Sequence, residues 1–205
     1  MCMGPTHTAV GALWGLAYAA ALGLPPGPAV GCVALGMVTS GGQGRIRLRL
    51  RGRKVYVSVS GFSPDIDQSP WWGLLARLIG ACTDPEHPGP MRHRGITHWW
   101  GIPVALAVAS FALPAWFPLW AAHALILGWA SHIWMDWVFG KAHARYVNGR
   151  LVALYRGRGV PMAPWWGHRG LGFKVGGRLE RFTNWFITPA TVVAVAALYL
   201  QGVIR

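Results

Sequence analysis

Apolar residues run along this chain in long uncharged blocks, separated by Pro-rich turns and by basic, Gly-containing connections. The blocks are Thr8 to Leu24, Ala29 to Thr39, Trp99 to Leu113, Leu119 to Phe139 and Trp185 to Val203. Pro25-Pro26-Gly27-Pro28 divides the first two, and Pro114 to Pro118 divides the next two. Proline removes a backbone donor and breaks a helix interior, so this punctuation predicts two helical hairpins. A bilayer span needs roughly 20 apolar residues, with a usual range of about 17 to 25. The first, fourth and fifth blocks reach that length; the second and third fall short of it.

Two connections alternate with period two and predict β-hairpins instead. Arg45 to Arg51 places arginine at every second position, Gly52-Arg53-Lys54 makes the turn, and Val55 to Ser60 returns. Tyr146 to Tyr155, with Asn148-Gly149 between apolar runs, predicts a second hairpin.

Charge changes this picture by giving it sides. No Asp, Glu, Lys or Arg precedes Arg45, and residues 45–94 and 141–181 hold eighteen of the 19 Lys and Arg residues. If every block crosses once from an N-terminus inside, both basic segments fall on the cytoplasmic face, as the positive-inside rule requires. The expected fold is therefore all-α: one domain over residues 1–205, a membrane-embedded bundle of about five apolar helices. One or two small β-hairpin insertions, the Arg-rich one at 45–60, would sit in cytoplasmic connections. A composition of 53% hydrophobic and 12% charged residues agrees with a multi-pass protein of the inner cell membrane. The net charge of +13 favours anionic partners, with membrane lipid ahead of nucleic acid. Cys2, Cys32 and Cys82 form no CxxC pair and are read as reduced small hydrophobes.

Only 6 residues are acidic, so each one carries information. Asp65 and Asp67 stand in Ser63-Pro64-Asp65-Ile66-Asp67, a loop-like stretch that can turn both carboxylates into one site. Asp136 follows His132 by four residues, which puts imidazole and carboxylate on one helical face. Ionisable groups in an apolar helix are costly unless satisfied, and this points to a functional site. His93 and His98 lie five apart and converge only if His93 is in a loop and His98 in the following turn, with Gly95 permitting the bend. His7 stands at the mouth of the first helix. Together His7, Asp65, Asp67, His93, His98, His132 and Asp136 form a candidate set of metal ligands. Mixed His/Asp ligation suits zinc first, with manganese or iron as alternatives, and the number of candidates allows one or two ions. Asp67, His93 and Glu180 are the candidate catalytic residues, although Glu180 also suits a structural pairing with Arg94 or Arg181. His123 precedes His132 by nine residues and should face away from the site.

These motifs resemble a known family. Thr6-His7, Pro64-Asp65-Ile66-Asp67, the block from His93 to His98, the run from Gly128 through Asp136, and Leu179 to Phe182 occur in the order seen in YdjM-like proteins. The resemblance implies an inner-membrane metal-dependent hydrolase, also described as LexA-binding, and a distant similarity to zinc-dependent phospholipase C and single-strand nucleases. It also marks two departures: the Arg-rich insertion before the Asp-x-Asp loop, and Gln68 where relatives often carry histidine. The expected function is hydrolysis of a phosphoester, a lipid headgroup first, at a divalent-metal site on the cytoplasmic membrane face. The alternatives are a membrane scaffold or regulator whose metal is structural and whose partner is a protein, and a nucleic-acid-binding protein that uses the arginine strand.

Overall fold

The computed structural model describes residues 4–41, 45–50, 53–58, 63–68, 70–81, 94–139, 144–147, 150–154, 160–161, 169–171, 173 and 177–204. Among them the α-helices are α1 (Gly4–Ala21), α2 (Pro26–Ser40), α3 (Pro70–Leu78), α4 (Gly101–Ser110), α5 (Leu119–Phe139) and α6 (Arg178–Ile204). Single 3-10 turns occupy Pro64–Gln68 and Ile96–His98. Strand β1 (Arg45–Leu50) pairs antiparallel with β2 (Arg53–Ser58), setting Arg45 opposite Ser58 and Leu50 opposite Arg53. Strand β3 (Ala144–Val147) pairs antiparallel with β4 (Arg150–Leu154).

The fold rests on α1, α2 and α5, which pack against one another; α6 adds to α1 and α4 to α5. Pro26 and Pro28 sit in the first turn of α2, where the amide they lack has no intrahelical partner anyway. Small side chains let the three central helices approach closely. A Cβ on Gly11 would collide with the carbonyl oxygen of Gly36, and one on Gly128 would collide with Thr39 Oγ1. Buried Ala19, Ala29, Cys32 and Ala124 pack with Tyr18, Leu24, Leu35 and Trp120 at one level. Val10, Met135 and Phe139 close another, nearer the C-terminal end of α5. There the amides of Leu171 and Phe173 donate to the carbonyls of Trp137 and Val138, which satisfies acceptors that a helix end leaves open.

The structure corrects the expected membrane-embedded bundle with hairpins in its cytoplasmic connections. Among the described residues no helix is long and apolar enough to cross a membrane. At 1.5 Å per residue α2 and α4 reach only about 22 and 15 Å, against a hydrocarbon core of about 30 Å. The longer helices dilute their apolar character: α1 carries Thr6, His7 and Thr8, α5 carries His123, His132 and Asp136, and α6 opens on Arg178, Glu180 and Arg181. Among the described residues the architecture is helical, with the named strands forming two short pairs. A cytoplasmic face for the site rested on the crossing topology and loses its basis with it.

Candidate metal centre

Four parts of the chain converge beside the C-terminal half of α5. His132 and Asp136, one turn apart, project from that helix and are 1% exposed each. The first turns of α1 supply His7, the Pro64–Gln68 turn supplies Asp65 and Asp67, and the turn at Ile96–His98 supplies His98. Two groups of ligand atoms lie close enough to hold an ion: His7, His132 and Asp136, and Asp65, His98 and His132. Asp136 Oδ2 lies near both histidines, His132 shared by the two groups and His98 in the second. His98 Nε2 lies 3.4 Å from Asp136 Oδ2 and 3.7 Å from Asp65 Oδ1; His132 Nε2 lies 3.9 and 3.7 Å from the same two oxygens. A tetrahedral ion with bonds of about 2.0–2.2 Å separates its ligand atoms by roughly 3.3–3.6 Å. The four separations, 3.4 to 3.9 Å, come close to that spacing.

The tautomers agree with that fit. His132 Nδ1 donates to the carbonyl oxygen of Ser40 at 2.8 Å, a last-turn acceptor of α2. Its Nε2 lone pair then points at carboxylate oxygens, and this buried nitrogen has no hydrogen-bond partner among the described residues. Burial above all, and then the neighbouring His7, push the His132 pKa down to about 3, so the ring is neutral. His98 is held from behind. Its Nδ1 lies 3.3 Å from Asp67 Oδ2, which also accepts the Thr97 hydroxyl at 2.7 Å and the Arg94 amide at 3.0 Å. A carboxylate behind a ligating imidazole fixes the ring and raises its basicity. Burial opposes a proton on His98, but Asp67 and Asp136 together outweigh it and raise the pKa to about 9. Burial likewise opposes charge on Asp136, yet Arg94, followed by His7 and His98, holds its carboxyl well below the usual range.

His98 and His132 therefore both face Asp65 and Asp136, and the His7 ring stacks on His132 at 3.9 Å and 14°. Asp67 joins neither group of ligand atoms and sits behind His98. Glu180 is fully buried in the first turn of α6 and joins neither group. His93 lies outside the described residues. His123 faces away from the site. Ser110 Oγ donates to Ala107 O, so it accepts from His123 Nε2 at 3.0 Å, and Tyr18 donates its hydroxyl to Nδ1 at 2.8 Å.

Sequence reasoning gave Arg94 only as a structural partner for Glu180, and the structure brings it to Asp136. Its guanidinium Nη2 donates to Asp136 Oδ1 at 2.8 Å, and its backbone has φ 59°. The bend expected at Gly95 runs through both residues, since Gly95 at φ −86° and ψ −128° is neither helical nor extended. A left-handed arginine persists only where its surroundings over-determine it, and two carboxylates holding one residue do so. The signal was present in its position inside the block from His93 to His98. Thr97, oriented by Asp67, and the Ser40 carbonyl carry no motif of their own.

A helical protein with a buried His/Asp cluster able to hold a divalent ion is what fold and site define. The chain belongs to the YdjM inner membrane protein family, whose model matches residues 1–143. The match bears out the family resemblance and spans the positions of the candidate ligands, while Glu180 lies beyond it. No curated protein and no solved structure matches the chain.

Proposed function

We propose that this chain is a metal-dependent hydrolase of the inner membrane that acts on a phosphoester, with a lipid headgroup as the favoured source. The observation that carries the reading is His132 Nε2: a buried, neutral imidazole nitrogen without a hydrogen-bond partner, aimed with His98 at Asp65 and Asp136. Acceptors gathered at one point repel each other unless a cation lies between them. Zinc, manganese or iron would be held by Asp65, His98, His132 and Asp136, and such an ion supplies Lewis acidity and an acidified bound water. The protein's own part is to orient the rings through Ser40 and Asp67. Arg94 and the net charge of +13 support an anionic substrate. Outward-facing aromatic side chains, Trp71, Trp116 and Trp185 among them, support contact with lipid.

The test is metal content of the detergent-purified protein by mass spectrometry, together with hydrolysis of bis-p-nitrophenyl phosphate and of phospholipid vesicles. Bound metal and metal-dependent release of phosphate monoester are expected. Metal-free protein after growth with added zinc and manganese would overturn the reading. The depth of the centre favours a structural ion as the second reading, because His98, His132 and Asp136 are all at most 1% exposed. A catalytic ion keeps a position open for water, and a structural one does not. A bound metal without an exchangeable water ligand would select the structural role.

A further inference from the structure

The two groups of ligand atoms share His132 and cannot both be filled through it. Its Nδ1 donates to Ser40, so the ring has one lone pair to give, at Nε2. Asp136 divides its oxygens in the same way. Oδ2 faces His98 and His132, whereas Oδ1 lies 3.6 Å from His7 Nε2 and already accepts Arg94 Nη2 at 2.8 Å. An ion placed between His7 and Oδ1 would meet the guanidinium of Arg94, a residue 7% exposed and tied at both its side chain and its backbone.

We infer that Arg94 is a built-in second cation: the centre takes a single divalent ion, on Asp65, His98, His132 and Asp136 Oδ2, and the guanidinium fills the place of another. This rests on the metal reading proposed above and goes beyond it by fixing the number of ions. Asp136 Oδ1 already has a cation beside it in the Arg94 guanidinium, 2.8 Å away. The left-handed backbone at Arg94 is then explained as well, since it lets one residue donate its amide to Asp67 and its guanidinium to Asp136.

The experiment titrates metal-free, full-length protein in detergent with Mn²⁺ and reads stoichiometry by mass spectrometry and coupling by electron paramagnetic resonance. Wild type and Arg94→Lys are expected to bind one ion per chain with an isolated six-line spectrum. Arg94→Met, which removes the charge, should bind two ions with an exchange-coupled spectrum, and adding His7→Ala should return it to one. Two ions in wild type or in Arg94→Lys, or one ion in Arg94→Met at any affinity, would overturn the inference. Should Arg94→Met fail to fold, the wild-type and Arg94→Lys counts still decide it. No ion in wild type would instead overturn the metal reading itself.

Discussion

Each histidine near the centre is defined by what holds its far nitrogen, and this separates otherwise similar side chains. His132→Ala or Asp136→Asn removes an atom that faces the ion and should abolish most of the bound metal, whereas His123→Ala, held by Tyr18 and Ser110, should leave metal content unchanged. Equal metal in the His123 and Asp136 variants would refute the arrangement. Asp67→Asn should weaken binding by roughly 10- to 100-fold, the usual cost of a partner behind a ligating histidine. Protons compete for the same atoms. With His98 raised to about 9, metal uptake at pH 7–8 should release close to one proton from it, and affinity should climb with pH until about 9. Calorimetry in buffers of different ionisation heat measures that proton, and a buffer-independent heat would contradict the assignment. Without metal, two limbs follow from linkage. The stabilisation from protonated His98 is complete below the usual 6.5 and is lost as pH rises through about 9. His132, held near 3, costs stability as pH falls below 6.5, because only the unfolded chain then takes up its proton. Thermal unfolding of metal-free protein should peak near pH 6.5, and bound metal should remove the alkaline limb.

At the scale of elements, what was legible in the sequence is what periodicity and punctuation encode. The block from Leu119 to Phe139 is α5 to the residue, and Pro25 to Pro28 mark the α1–α2 turn. Helix α6 begins at Arg178, seven residues before its apolar block, opening on the outward-facing Arg178 and Arg181 with Glu180 buried between them. Helix α3 was missed, since Pro70 to Leu78 is short and follows a loop-like stretch. The ligand set was readable because His132 and Asp136 share one helix face, and because acids are so rare that Asp65 and Asp67 stand out. The supports were not, since a carbonyl such as that of Ser40 leaves no trace in side-chain spacing. Close helix packing then links element to site. Gly36→Leu would force side-chain atoms against the backbone of Gly11 and Gly15 in the middle of α1. Overpacking of this kind costs about 1–3 kcal/mol. At roughly 2–4 °C per kcal/mol for a chain of this size, the melting temperature should drop by several degrees. Because α2 also presents the Ser40 carbonyl to His132, metal affinity should fall with it, and a variant that melts early yet binds metal normally would show that α2 does not orient the ring.

The whole molecule shows its largest departure from an ordinary globular surface on the outside. Trp71, Trp116 and Trp185 are 78%, 80% and 79% exposed, and Val104 and Val108 of α4 and Phe111 just after it are at least 62% exposed. Helix α6 turns Phe182, Phe186, Val192, Val193 and Leu200 outward as well. Single apolar side chains at a surface need no explanation, but helices that display them in series mark a surface that something covers. The family is one of inner membrane proteins, and lipid or detergent is the cover expected. A ring that buries about 100 Å² in lipid gains about 2.5 kcal/mol at 25 cal/mol per Å². Replacing Trp185 with Ser should therefore lower vesicle partitioning by at least tenfold, since 1.4 kcal/mol is already a factor of ten. The basic residues add attraction that salt screens, so raising ionic strength should weaken binding to anionic vesicles without abolishing it. Sedimentation with vesicles across a salt series, wild type beside Trp185→Ser, separates the two contributions. Complete release of the wild type by salt would show that charge alone holds it. Monodisperse protein in detergent-free buffer would show that the apolar exterior needs no cover at all.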